Sequence, residues 1–272
     1  MGESYRIVLR TYAKLNLCLD VLGKRQDGYH EINSLFQNIS LFDEMDITLS
    51  DGKGKLLINS NVNIGNNILN SVWELVNCDN KNVYVNLQKN IPMGGGLGGG
   101  SSNAAGFIIA LEKVGIISKE QSLKIAQKVG SDVPFFLFGG TAIVKGRGEV
   151  ILPVEPLTNF GKFKVDLHLP NFSISTKEAY SKLKAEWFGK APITPEELYD
   201  FYKTRNFEMI KKGTYNIFER VIPMDLLEKI ESLRRDFPAA LTGSGSTYFA
   251  LKEDGKYSFV PKGVEINAFE KS

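Results

Sequence analysis

Apolar and polar residues alternate along much of the first sixty positions, and the alternation predicts strands. Residues 7–9, flanked by Arg6 and Arg10, read as a short strand. Leu15, Leu17, Leu19 and Val21 then repeat at period two with Asn16, Cys18 and Asp20 between them, the pattern of a half-buried strand. That strand ends at Gly23, and Gln26-Asp27-Gly28 carries a turn signature. Residues 32–39 and 45–49 read as further strands, and Asp51-Gly52-Lys53-Gly54 predicts a hairpin turn into a strand over 56–58. The period then lengthens. Asn66 or Asn67 can cap a helix running through Ile68, Leu69, Val72, Trp73, Leu75 and Val76. Residues 83–87 alternate as a strand. Helical spacing covers 101–114, with Ala104, Ala105, Ile108, Ile109 and Leu111, and covers 118–129, opened by Ser118. A buried apolar run over 133–138 precedes a strand pair, 141–144 and 150–152, around Lys145-Gly146-Arg147-Gly148.

Pro153 and Pro156, with residues 158–161, form the best boundary in the chain. The expected domains are therefore 1–152 and 153–272. The second opens with a strand over 163–169, has helical patterns over 195–202 and 225–235, and has a strand over 247–251; the tail after Leu251 carries no signal. No repeat of solenoid period and no low-complexity tract is present. These elements predict an α+β fold of two domains with a cleft between them.

Composition narrows the function classes. A chain of 272 residues with 43% hydrophobic content can bury a sizeable core, and global disorder is excluded. The net charge of +2 comes without a polybasic block, so neither nucleic acid nor a membrane surface is an expected partner. Cys18 and Cys78 are too few for a disulfide framework or a structural zinc site, and both are expected as reduced thiols. The first ten residues lack the apolar core of a signal peptide, and no apolar run is long enough to span a bilayer. A soluble cytoplasmic protein is expected. His30 and His168 cannot build a histidine metal site by themselves, so any metal is a hard cation held by oxygens.

The most informative segment is Pro92-Met93-Gly94-Gly95-Gly96-Leu97-Gly98-Gly99-Gly100-Ser101-Ser102, in which six glycines occupy the seven positions 94–100. Such a loop gathers backbone N–H groups without Cβ obstruction, and the helix that follows aims unsatisfied donors and its positive dipole end at the same place. That place suits phosphate. Ser101 and Ser102 can cap the helix or donate to the anion. A flexible linker is the bland alternative, but a linker does not need an amphipathic helix at its end. A Walker loop needs a terminal Gly-Lys-Ser/Thr, which is missing here. Gly94, Gly96 and Gly99 satisfy GxGxxG, yet a helix follows where a dinucleotide fold would place a strand. The segments that mark protein kinases are not in the chain.

This loop resembles the phosphate-binding motif of the GHMP kinases, the superfamily of galactokinase, homoserine kinase and mevalonate kinase. Ala13-Lys14-Leu15-Asn16-Leu17 and Leu241-Thr242-Gly243-Ser244-Gly245-Ser246-Thr247 resemble its first and third motifs. Gly28-Tyr29-His30-Glu31 and Ser131-Asp132-Val133-Pro134-Phe135-Phe136 resemble the branch whose acceptor is a CDP-linked methylerythritol in the non-mevalonate isoprenoid pathway. The resemblance runs through the whole chain in order. It implies a two-domain GHMP-kinase-like fold with the site in the interdomain cleft. It also implies transfer of the γ-phosphoryl group of ATP, with Mg²⁺, to the 2-hydroxyl of that acceptor, by a monomer or a homodimer.

By the same resemblance Asp132 is the catalytic aspartate, a general base for the hydroxyl, and Lys14 is its cationic partner in the cleft. Read without the family, Asp132 is equally a helix cap and Lys14 a solvated strand lysine. The resemblance also implies that Tyr29 and His30 take the cytosine end, His30 by hydrogen bonds, and that Tyr180 supplies a second aromatic for stacking; read without the family, Tyr29 is a core edge, His30 a surface residue and Tyr180 a helix core residue. Asn16 contacts the substrate, Thr176 is a weaker candidate, and Gly243 and Ser244 close the cleft around the acceptor. On the nucleotide side, Lys89 either reaches the adenine or is solvated. Ser102 is a possible Mg²⁺ ligand, with the metal held mainly by ATP. One departure is visible: the family's Pro before Ala-Lys is Tyr12 here. Two other functions stay open on the residues alone. One is a homoserine- or mevalonate-type kinase, against which Gly28-Tyr29-His30 argues. The other is a catalytically silent nucleotide sensor, against which the retention of Lys14 and Asp132 argues.

Overall fold

The period-two segments at the start of the chain are parts of two long strands. In the computed structural model, which describes residues 3–158 and 163–272, β1 spans Tyr5–Lys24 and pairs antiparallel with β2, His30–Asp51. The alternation looks broken in the sequence because the ladder shifts register between Tyr12 and Ala13, between Asn16 and Cys18, and between Val21 and Gly23. A shift of this kind exchanges the faces of a strand. Ile7 and Leu9 lie in one hydrophobic cluster, Ala13, Leu15 and Leu17 lie in a second, and Leu19 and Val21 return to the first. Lys14 and Asn16 therefore point toward the first cluster, between the two exchanges.

The hairpin expected at residues 51–54 does not form. β3 (Leu56–Ser60) leads through helix α1 (Ile68–Val76) to β4 (Lys81–Gln88), which inserts between β2 and β3, antiparallel to the one and parallel to the other. β4 carries the stronger apolar face, with Val83, Val85 and Leu87 buried, and takes the inner place; Leu57 on the edge strand β3 is 62% exposed. Asn67 caps α1 by accepting from the Leu69 amide. Helix α2 (Gly99–Lys113) starts two residues earlier than its spacing predicts, and α3 (Lys119–Val129) opens on a capping box between Ser118 and Gln121. α2 lies close on the sheet because Gly106 has no side chain: a Cβ there would meet Thr11 Cγ2 at 2.5 Å and Met45 Cε at 2.8 Å. Short helix α4 (Val133–Phe138) follows, then β5 (Thr141–Gly146) and β6 (Val150–Val154), an antiparallel pair that joins the sheet along β2.

The second half holds a three-stranded sheet of β7 (Lys164–His168), β8 (Ala239–Leu241) and β9 (Tyr248–Lys252), in the order β7-β9-β8. Helices α5 (Thr176–Lys182), α6 (Pro195–Thr204), α7 (Phe207–Gly213) and α8 (Met224–Arg234) lie between β7 and β8 in the chain. The expected strand over 163–169 and the helical patterns near 195 and 225 correspond to β7, α6 and α8.

The tail differs from its reading. β10 (Val264–Lys271) returns to the first sheet and pairs antiparallel with β1, giving the order β10-β1-β2-β4-β3. In the large sheet, β10 thus lies beyond residue 153 in the chain, and β6 spans that position. Tyr12 helps fix this return: its amide donates to Gly263 O at 2.9 Å and its hydroxyl to Glu265 Oε2 at 2.6 Å. A proline, the family's residue at this position, has no N–H for the first of these bonds. Among the described residues no helix is long and apolar enough to cross a membrane.

Candidate active site

The face exchange in β1 buries a lysine beside the short helix α4. Lys14 is 3% exposed. Its Nζ donates to Asn16 Oδ1 at 2.7 Å, lies 3.7 Å from Asp132 Oδ2 and sits 4.9 Å from the centre of the Phe36 ring. Burial pushes the Lys14 pKa below the ordinary lysine range, and the Asp132 carboxylate opposes that shift. Asp132 stands at the N-cap of α4, yet its side chain makes no capping bond. Its carboxylate therefore faces Lys14 with 31% of the side chain open to solvent. The position is a cap, but the side chain is not used as one.

Asn16 is a bracket between distant segments. Besides Lys14, its Oδ1 accepts from the Gly243 amide at 2.8 Å, and its Nδ2 donates to Ser34 Oγ at 3.1 Å. The third motif is thus fixed to the first. Gly243, at φ 56°, lies against Gly96: a Cβ on Gly243 would come within 2.9 Å of Gly96 Cα. Thr242 Oγ1 adds a bond of 3.3 Å to Gly96 O. Thr176 and Ser244 join through their hydroxyls at 2.9 Å.

Two cavities meet at this contact. The larger, about 670 Å³, is lined by Lys14, Asn16, Tyr29, His30, Asp132, Thr176, Tyr180, Gly243 and Ser244, together with Gly96 and Gly98. The second, about 360 Å³, is lined by Lys89, Pro92, Met93, Leu97, Ser101, Asn103 and all six loop glycines. Gly96 and Gly98 line both. Gly98 is the N-cap of α2 with φ 72°, and a Cβ there would meet Phe136 Cζ at 2.8 Å and Lys14 Cγ at 3.1 Å. Only glycine allows the backbone to pass between the two spaces at this closeness. The loop presents main chain to the smaller cavity and sets the acid–amine pair on the far side.

Several sequence-predicted residues lie elsewhere or behave differently. Ser101 and Ser102 do not cap α2, because the helix begins at Gly99. Ser102 is fully buried, its hydroxyl donates to Tyr12 O at 2.7 Å, and it lines neither cavity. Lys89 is neither solvated nor extended toward a base: its ammonium is in a buried ion pair with Asp43 and donates to Asn103 Oδ1 at 3.0 Å. His30 and Tyr180 are adjacent, but they stack on each other, with centroids 4.8 Å apart at 23°. Phe218 packs edge-on to Tyr180. The free aromatic surface belongs to Tyr29, 51% exposed, over which Arg147 lies at 5.0 Å. Burial and Lys24 hold the His30 pKa below the usual histidine range.

The motif reading missed Phe36, Arg147 and Phe218 in the larger cavity and Asn103 in the smaller. Arg147 alone had a local signal, since it sits in the predicted Gly146–Gly148 turn. The others are reached only through the fold. Among the described residues no three His, Cys, Asp or Glu side chains come together as a metal site.

Comparison with known proteins follows the same lines. The GHMP kinases N terminal domain matches residues 66–140, from α1 to the end of α4. A 4-diphosphocytidyl-2-C-methyl-D-erythritol kinase of Thermosipho africanus is 51% identical over 97% of this chain and 98% of its own length. One from Thermotoga maritima is 46% identical over 93% and 95%. A crystal structure of 4-(cytidine 5'-diphospho)-2C-methyl-D-erythritol kinase superposes with a TM-score of 0.72 at 28% identity, covering 92% of this chain and 91% of that one. Homoserine kinase from Cytophaga hutchinsonii, at a TM-score of 0.70 and 16% identity, shares the fold. With relatives this similar along nearly the full length, the chain belongs to the 4-diphosphocytidyl-2-C-methyl-D-erythritol kinase family of GHMP kinases.

Proposed function

We propose that this chain transfers the γ-phosphoryl group of ATP to the 2-hydroxyl of 4-(cytidine 5'-diphospho)-2-C-methyl-D-erythritol, in the non-mevalonate route to isoprenoid precursors. The observation that carries the reading is the junction of two cavities at Gly96 and Gly98, with Lys14 and Asp132 beside it. Phosphoryl transfer asks a protein chiefly for positioning and charge neutralisation. The glycine loop and the N-terminus of α2 hold the phosphates in the smaller cavity. The acceptor fills the larger one with its hydroxyl at Asp132. As the new O–P bond forms, the hydroxyl proton passes to the Asp132 carboxylate, and the bond from the γ-phosphorus to the β–γ bridging oxygen breaks, releasing ADP. Lys14 orients that carboxylate and offsets negative charge developing at the reacting oxygens, an effect strengthened by its burial.

At neutral pH the lowered pKa leaves His30 uncharged, with one ring nitrogen as donor and the other as acceptor. Such an imidazole can pair with the edge of cytosine while the exposed Tyr29 ring stacks on the base. Tyr180 acts through His30 by supporting its ring. The donor set suits a Mg²⁺ that arrives on ATP: no protein cage is present among the described residues, and Ser101 on the smaller cavity and Asp132 on the larger offer oxygens to an ion carried between them. Carried on the triphosphate, the ion supplies charge neutralisation at the transferred group.

The test is incubation with ATP, Mg²⁺ and a panel of the CDP-linked acceptor, homoserine and mevalonate, read by mass spectrometry. Addition of one phosphoryl group to the CDP-linked acceptor alone is expected. Phosphorylation of homoserine or mevalonate instead would overturn the substrate assignment.

A further inference from the structure

We infer that Asp43 is a positioning residue for the nucleotide, a single buried carboxylate that ties both ends of the glycine loop together. The inference rests on the reading of that loop as the ATP cradle. Asp43 lies on β2 and is 0% exposed. Its Oδ1 accepts from the amides of Asn90 at 2.7 Å and Ile91 at 2.8 Å, the two residues that lead into the loop at Pro92. Its Oδ2 accepts from Lys89 Nζ and, at 3.0 Å, from Nδ2 of Asn103, which stands in α2 just past the loop's end. Lys89 Nζ also donates to Asn103 Oδ1 at 3.0 Å, which closes a ring of three side chains. Asn103 Nδ2 reaches on to Thr11 Oγ1 of β1 at 2.8 Å. Four donors thus converge on one carboxylate, and they come from both sides of the loop.

The loop's composition explains why such a tie matters. Its six glycines have more backbone freedom than any other residues. A loop left free would lose that freedom on binding a ligand, and affinity would fall accordingly. The centre is already held: Leu97 is buried, and its carbonyl accepts from the Lys14 amide at 3.0 Å. Asp43 holds the two ends. Lys89 and Asn103 both line the smaller cavity, so the ring forms part of its floor. The larger cavity has no wall made by Asp43, Lys89 or Asn103. Gly96 and Gly98, the loop residues that also line the larger cavity, stay held by the bonds of Leu97 to Lys14 and of Gly96 to Thr242, while Gly94, Gly95, Gly99 and Gly100 line only the smaller one. Loss of the tie at the ends should therefore be felt far more by the nucleotide than by the acceptor, whereas a merely structural ion pair would affect both alike.

Two double variants of the full chain separate the terms. In Asp43→Asn with Lys89→Met, the amide oxygen can keep the two backbone bonds, and no ammonium is left buried without a partner. In Asp43→Ala with Lys89→Met, the acceptor is gone. The readouts are KM for ATP, KM for the acceptor, the Kd of a non-hydrolysable ATP analogue, and hydrogen exchange of amides 90–100. The alanine form should show KM for ATP and analogue Kd raised roughly tenfold over the asparagine form, faster exchange in the loop, and acceptor KM within about twofold. Equal ATP and analogue values in the two forms, or a parallel rise in acceptor KM, would overturn the inference. If the alanine form does not fold, Asn103→Ala cuts the trailing tie, together with the bonds of Asn103 to Lys89 and Thr11, and leaves the leading tie to the amides of Asn90 and Ile91; it should raise KM for ATP about threefold or more at constant acceptor KM, and an unchanged KM for ATP would count against Asp43. A wild-type chain that fails to bind the analogue overturns the loop reading itself, whereas wild-type binding with equal affinities in the variants removes only the role of Asp43.

Discussion

Lys14 is held in the larger cavity against the cost of its own burial. Its depressed pKa means that the unfolded chain binds a proton that the folded chain gives up more readily. Wild-type stability therefore rises as pH climbs from the lowered folded-state pKa toward the ordinary value of 10.5. Lys14→Met should remove that slope and abolish turnover; calorimetry across pH together with an activity assay checks it, and a variant that keeps the slope would contradict it. Asp132→Ala should lower kcat about 10²- to 10⁴-fold while analogue binding stays nearly intact, since its role lies in the transition state. Near-wild-type kcat would remove Asp132 from the mechanism. His30→Ala should raise KM for the cytidylyl acceptor far more than KM for ATP, and equal rises would make His30 structural. At this scale the motifs made Lys14 and Asp132 legible. The bracket role of Asn16 was not, because its partner Gly243 is fixed by the fold and not by local sequence. Ser102 lines neither cavity for a related reason: where the helix starts decides which of two adjacent serines faces the cavity.

Elements with a local signature were read well and elements with a distant partner were not. The Asn67 cap, the Ser118 cap and the glycine loop each announce themselves within a few residues. The continuity of β1 and β2 does not, because the register shifts interrupt the alternation that would reveal it. The absent hairpin shows the same limit: a turn signature at residues 51–54 cannot tell that β4, thirty positions on, will take the place beside β2. The contact between the two glycine loops is also invisible in the sequence, and it gives a prediction. In Gly243→Ala the Cβ would sit 2.9 Å from Gly96 Cα on a backbone with φ 56°. The substitution should cost about 1–3 kcal/mol and raise KM for both substrates, since the loops border both cavities. Unchanged stability and kinetics would mean that the loops part freely.

The whole molecule is organised by the path of β1, which contributes to both hydrophobic clusters and carries Lys14 where it passes from one to the other. The α+β character and the strand-rich first half were legible from periodicity, but the return of the tail was not. β10 covers the outer edge of β1, so a chain ending at Lys262 would leave a long strand edge open. Such a truncation should lower the melting temperature and promote aggregation, visible by light scattering; a soluble, fully active product would show that the edge needs no cover. The arrangement that unites these levels is the glycine backbone standing between the two cavities proposed for phosphate and acceptor, with Lys14 and Asp132 beside it. A crystal structure of the ternary complex with a non-hydrolysable ATP analogue and the CDP-linked acceptor examines that arrangement without intermediary. The triphosphate should lie along residues 94–100, with the acceptor's 2-hydroxyl hydrogen-bonded to Asp132. A nucleotide seated in the larger cavity, or an acceptor hydroxyl out of reach of both Lys14 and Asp132, would contradict it.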